Sequence, residues 1–189
     1  MRDGRHTLSD SGTTPSNEDV LKQYWEATIT GNIPLLRPII ADDAVFHYPG
    51  QHFLSGDYHG VEEVAGLYTR VTSLGQELFE GKLRAIFSTT DGSYNAVTLS
   101  YRIKAIGNKW IPGRATGVFR IWDGKIHEYW LHEWDQQMIN DVWWASAPKM
   151  FRKQKQLGKL VTKVPRIVLG SIRTLKRAFG GYTAPSEPY

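Results

Sequence analysis

The stretch that decides the fold is residues 110–134, WIPGRATGVFRIWDGKIHEYWLHEW. It holds two long runs rich in Val, Ile, Trp, Tyr and Phe, joined by Asp123-Gly124, the strongest short-range signal for a two-residue β-hairpin turn. Working backwards, the same grammar repeats. Lys82–Thr89, Tyr94–Ile106, Trp110–Trp122 and Lys125–Trp134 read as strands, separated by Asp91-Gly92, Gly107-Asn108 and Asp123-Gly124. Further upstream the period changes. Val20, Leu21, Tyr24, Trp25 and Thr28 recur at helical spacing after Asn17, which is read as the cap, and Gly31-Asn32 ends that helix. Ile33-Pro34 opens a short second helix. Ala44–Tyr48 is a brief strand stopped by Pro49-Gly50, a loop follows, and Val61 to about Leu74 is a third helix. Three helices followed by a meander of long strands predict an α+β domain. Its curved antiparallel sheet is covered on one face by helices, with a conical cavity at the open end.

Composition bounds what such a cavity can do. Of 189 residues, 41% are hydrophobic and 12% aromatic, so a packed core is expected, and seven Trp with nine Tyr suit either a pocket lining or a Trp-rich core. There is no Cys, which excludes disulfide frameworks, thiolate zinc sites and Cys nucleophiles. This usage fits the cytoplasm. Residues 1–16 are polar and read as a disordered leader, and no run reaches the length of a membrane span. The net charge of +4 is unevenly spread. From Ala145 onward there are ten Lys or Arg against the single acid Glu187, leaving thirteen basic and eighteen acidic groups in the first 144 residues. Residues 17–144 are therefore read as the domain and 145–189 as a basic tail. In the tail Leu157, Leu160, Val164, Val168, Leu175 and Phe179 recur at helical spacing, opposite Lys159, Lys163, Arg166, Arg173 and Lys176. Pro165 is expected to break or kink it. Three readings stand for this segment. Residues 149–179 can lie on an anionic membrane surface, giving a peripheral association. They can pack on the domain or on a partner copy. Nucleic-acid binding by charge alone is disfavoured by the scarcity of aromatic rings and the acidic domain.

Several words in the chain are familiar. IADDAVFHYPG over residues 40–50, SGDYHGVEEV over 55–64 and VFRIWDGKIHEYWLHEWDQQ over 118–137 resemble the SnoaL-like branch of the nuclear transport factor 2-like superfamily, over residues 18–144. The resemblance implies the cone-shaped fold, and dimers are common for it. Its functions include isomerases, polyketide cyclases, dehydratases, epoxide hydrolases and non-catalytic binders. Tyr24 sits where ketosteroid isomerase has its oxyanion-hole tyrosine. Tyr48 stands where that enzyme has its aspartate base, and Gly117 stands near its second acid. Asp135 resembles the acid/base aspartate of SnoaL-type cyclases.

On these residues the expectation is a cofactor-independent enzyme that cyclises or isomerises an apolar, polyketide- or terpenoid-like molecule. Asp135 would be acid/base, Tyr24 and Tyr48 would hold the carbonyl oxygen, and His132 would assist. Trp25, Phe46, Tyr68, Trp130 and Trp134 would line the pocket. Proton abstraction beside a carbonyl needs a base of raised pKa and a neutral donor near the oxygen. A desolvating aromatic pocket would raise Asp135. Each residue also has a plain structural reading: Asp135 as the cap of a helix starting at Gln136, Tyr24 and Tyr48 as core or strand aromatics, Arg114 and Arg120 as a solvated or dimer-facing sheet edge. On strict alternation His132 and Asp135 face opposite ways, so a bulge or the strand's end must intervene. His47, His52 and His59 match no metal-ligand spacing, so no metal is expected. There is no glycine-rich phosphate loop, no Gly-x-Ser-x-Gly and no His-Glu-x-x-His, so no cofactor is expected. The alternative to an enzyme is a non-catalytic module that carries a ligand or dimerises at a membrane.

Overall fold

The computed structural model describes residues 14–73, 79–104, 108–153 and 155–185. The expected leader lies outside the described residues up to position 13, as do Leu74 and the strand end at 105–106. Helix α1 (Asn17–Thr30) is capped by Ser16, one residue earlier than the sequence reading, because the Ser16 hydroxyl accepts the Asp19 N–H at 3.2 Å. Asn17 instead donates its side-chain amide to the Gly92 carbonyl, tying α1 to a sheet turn. Gly31, at φ 69°, closes α1 in the left-handed conformation that a side chain disfavours. The expected second helix is two 3₁₀ turns, Ile33–Leu35 and Arg37–Ile39, each with a Pro in its first turn.

Strand β1 (Ile40–Tyr48) is longer than expected, and the loop after it contains a further strand, β2 (Gly56–His59). Helix α2 (Gly60–Thr72) follows, then β3 (Phe79–Ser88), β4 (Asn95–Lys104), β5 (Trp110–Trp122) and β6 (Lys125–Glu133). The sheet is six-stranded, curved and unclosed, in the order β2-β1-β6-β5-β4-β3. It is mixed rather than wholly antiparallel, since β1 runs parallel to β6. That pairing returns the chain's first strand to its last; α2 lies against β1 and β2, and α1 reaches β3 at the far edge.

The alternation on β5 is regular. Ile111, Gly113, Ala115, Phe119 and Ile121 face inward and are buried, while Pro112, Arg114, Thr116 and Arg120 face out. Two inward glycines make room for rings. A methyl at Gly117 would stand 2.9 Å from both Phe119 and Tyr129, and one at Gly113 would be driven into the Tyr101 ring. Gly113→Ala is therefore expected to displace Tyr101 and cost about 1–3 kcal/mol, read as a lowered thermal midpoint.

Helix α3 (Gln136–Lys153) runs without a break past position 145, with Pro148 inside it, so the domain's last helix and the start of the basic tail are one element. A 3₁₀ segment (Leu157–Lys163) leads into α4 (Val164–Phe179). Pro165 lies in the first turn of α4, where the missing N–H has no intrahelical partner to lose, and the helical run from Leu157 is divided just before it. α4 lies along α3 through small and polar residues. Gly170 and Thr174 are buried, and a methyl at Gly170 would stand 2.8 Å from the Trp144 Cβ. Arg177 reaches the buried Asp141 carboxylate at 2.6 Å. The apolar stripe of α4 points outward.

Candidate active site

Between the sheet's concave face and helices α1, α2 and α3 lies a cavity of about 120 Å³. This is near the size of a cavity that holds one benzene, about 150 Å³. Its wall is largely apolar, with Trp25, Ile29, Val71, Phe79, Leu99 and Trp143 among its lining. Five tyrosines and one acid supply most of its polar atoms: Tyr24, Tyr48, Tyr68, Tyr101, Tyr129 and Glu133.

α1 presents Tyr24 from the same face as Val20, Leu21 and Ala27, and α2 presents Tyr68 beside Val64 and Leu67. The Tyr24 and Tyr68 hydroxyls are hydrogen-bonded to each other. The Tyr129 hydroxyl interacts with both, so the three phenols form one hydrogen-bonded cluster. Tyr129 packs against Tyr24 at 5.5 Å between ring centroids. Burial pushes all five phenols above their ordinary value. Each is therefore a neutral hydrogen-bond donor at neutral pH.

Glu133, the last residue of β6, lines the cavity and is partly accessible. Tyr101 donates to its Oε2 at 2.5 Å. Burial raises the Glu133 carboxyl to about 7, the Tyr101 bond opposes the rise, and the nearby Asp135 charge adds to it. Removing the opposing bond in Tyr101→Phe should carry the Glu133 pKa above about 7 and shift any activity that depends on it to higher pH. An unmoved pH profile would show that Tyr101 does not tune this carboxyl.

The structure separates the residues expected from sequence. Tyr24, Tyr48, Tyr68 and Trp25 share the cavity. Phe46 is fully buried behind it, packed against Tyr24 and Tyr129, and is not part of the wall. Asp135 lies outside it: its Oδ1 accepts the Met138 N–H at 2.8 Å as the cap of α3, and its Oδ2 accepts the Tyr182 hydroxyl at 2.8 Å. His132, Trp130 and Trp134 are on the opposite face of β6. His132 is exposed, Trp130 stacks on His47 at 5.5 Å, and Trp134 donates to the Thr116 hydroxyl at 3.0 Å.

A β-bulge accounts for this. The hairpin starts in simple register, Trp122 opposite Lys125 and Ile121 opposite Ile126, but Arg120 then faces Glu128, so His127 is an extra residue. Without the extra residue, Ala115 would face His132. With it, Ala115 faces Glu133, and every later side chain of β6 changes sides. The signal for Glu133 was the inward run of small and apolar residues on β5, read together with one added residue.

The histidines after β1 do not converge. His47 pairs with Asp57 at 2.8 Å, His52 is buried and lowered to about 4 by desolvation, and His59 is exposed. Among the described residues no group of three or more His, Asp or Glu is placed to hold a metal ion. No described helix is long and apolar enough to cross a membrane.

Comparison with known proteins agrees with this architecture. The SnoaL-like domain family model matches residues 21–129. Among solved structures, Bal32a from a soil-derived mobile gene cassette is similar at 20% identity and TM-score 0.61, covering 67% of this chain and 95% of that one. A Xanthomonas campestris protein of unknown function with a cystatin-like fold is 27% identical at TM-score 0.60, covering 68% and 98%. TerC, co-crystallised with polyporic acid, is 12% identical at TM-score 0.58, covering 67% and 96%. No curated protein matches the chain. With its family model spanning more than half of the chain, and with the fold the model implies, this protein belongs to the SnoaL-like domain family.

Proposed function

We propose that the chain is a cofactor-independent enzyme that binds a small, mostly apolar carbonyl compound in this cavity and moves a proton beside the carbonyl. One observation carries the reading: a carboxyl group with a pKa near 7 opens into an otherwise apolar cavity ringed by neutral tyrosine hydroxyls. A base titrating near the working pH balances being ionised against being strong enough to accept the proton. Glu133 takes the place expected of Asp135. Its carboxylate would accept the α-proton and become the acid, while the negative charge passes to the carbonyl oxygen as an enolate. A hydroxyl of the Tyr24–Tyr68–Tyr129 cluster and the Tyr48 hydroxyl would donate to that oxygen. Return of the proton from Glu133 to another carbon gives an isomer; attack of the enolate carbon on a second carbonyl gives a ring. The co-crystallisation of the fold neighbour TerC with polyporic acid supports a small-molecule occupant.

The cavity volume limits the buried part of the substrate to about one six-membered ring. A single-ring cyclic enone in heavy water is the direct probe. The wild-type protein should speed deuterium incorporation at the carbon beside the carbonyl, and Glu133→Gln should not. If both proteins leave the exchange at the buffer rate while still binding the enone, the cavity is a carrier's pocket.

A further inference from the structure

We infer that the outward face of α4 docks on an anionic lipid surface. α4 uses Gly170, Thr174 and Arg177 against α3, and this leaves Val164, Val168, Leu169, Ile172, Leu175 and Phe179 exposed, at 36–64% of their full area. On a helical projection Val164, Val168, Ile172, Leu175 and Phe179 fall within one narrow stripe, with Leu169 beside it. A soluble helix ordinarily turns such a stripe inward; here it is the packed face that is small and polar.

Charge selects the occupant. No Asp or Glu occurs between residues 142 and 186, while Lys159, Lys163, Arg166, Arg173 and Lys176 lie on or beside α4. Lys159, Lys163 and Lys176 are exposed. A second copy placed on the same stripe would bring these cations against their own counterparts, so self-association through this face is opposed. A nucleic acid would engage the cations but leave five aliphatic side chains in water, with only the Phe179 ring available for stacking. An anionic bilayer satisfies both halves. Its acyl boundary takes the aliphatic stripe, and its headgroups take the Lys and Arg beside it. The helix has 16 residues, about 24 Å, and lies along the surface rather than crossing it.

The test is co-sedimentation of the full chain with vesicles. Mixed phosphatidylcholine–phosphatidylglycerol vesicles should bind it, and pure phosphatidylcholine vesicles should bind at least about tenfold more weakly. Ile172→Glu with Leu175→Glu, both at exposed positions, should weaken binding to the mixed vesicles about tenfold or more without changing the thermal midpoint. Lys159→Glu with Lys163→Glu and Lys176→Glu should do the same by charge alone. Absence of binding at low salt overturns the inference. So does binding that the Glu pair leaves unchanged, because charge would then act without the apolar stripe. Sedimentation velocity showing a dimer that Ile172→Glu dissociates would assign the stripe to a second copy, and duplex or single-stranded DNA outcompeting the mixed vesicles would assign the cations to nucleic acid.

Discussion

Glu133→Gln should lower proton-exchange turnover about a thousandfold while leaving ligand affinity within a few-fold, the loss typical of removing a general base. Gln keeps the volume and can still accept the Tyr101 hydroxyl, so the cavity wall survives the change. The same substitution should stabilise the protein at alkaline pH. Glu133 has its carboxyl raised from an ordinary 4.5 to about 7, so between those values the folded protein holds a proton that the unfolded chain has released. Its favourable contribution is complete below about 4.5 and is lost as pH rises through about 7. The wild type should therefore lose up to about 3 kcal/mol across this window relative to Glu133→Gln, with the variant the more stable at pH 8. Thermal melts of both proteins from acid to alkaline pH measure this. Parallel curves would mean that Glu133 titrates like an exposed carboxylate, and the proposed base would be lost with it.

Arg177→Ala should be strongly destabilising although it lies outside the cavity. Asp141 is buried in α3, and its carboxylate accepts from Arg177 at 2.6 Å and from the Gln137 amide at 2.9 Å, with Arg173 at 3.7 Å. Removing Arg177 leaves a buried anion with one neutral donor and a distant cation. This should cost about 3 kcal/mol, or roughly a 10 °C fall in the thermal midpoint. Most of the cost comes from stranding the charge rather than from losing the pair's own attraction. Asp141→Asn combined with Arg177→Leu should therefore recover much of the loss. A fall as large in the double variant as in the single would instead place the energy in Arg177's packing. The contact also bears on the site, because Tyr182, beyond the end of α4, donates to Asp135. Freeing α4 should loosen the cap of α3, which begins three residues after Glu133.

The architecture was legible because its signals are local. Asp123-Gly124 turned with both residues at positive φ, Gly92 did so alone in the β3–β4 turn, Gly31 ended α1, and β5 kept both its limits. What the sequence hid depended on a single residue of register. His127 bulges from β6, and one extra residue is enough to exchange His132 for Glu133 at the cavity wall. Asp135 drew attention as an acid among tryptophans, yet the same residue type is a favoured cap, and the orphan N–H groups of α3 claim its carboxylate. Tyr24 and Tyr48 were placed by family likeness, and both reached the cavity. β2 was missed because Gly56–His59 pairs with β1 through its backbone, without an alternating apolar pattern of its own. The basic tail displays helical spacing, but spacing does not say which face packs. Gly170, invisible to a count of apolar residues, is what lets α4 approach α3.

The proposed chemistry requires a single carboxyl inside the cavity that titrates near neutrality. Carbon-13 NMR of the side-chain carboxyl of Glu133, assigned by its absence from Glu133→Gln, measures this directly. A midpoint near 7 in the free protein, which rises further in Tyr101→Phe, is the predicted result; a midpoint near the ordinary 4.5 would contradict it.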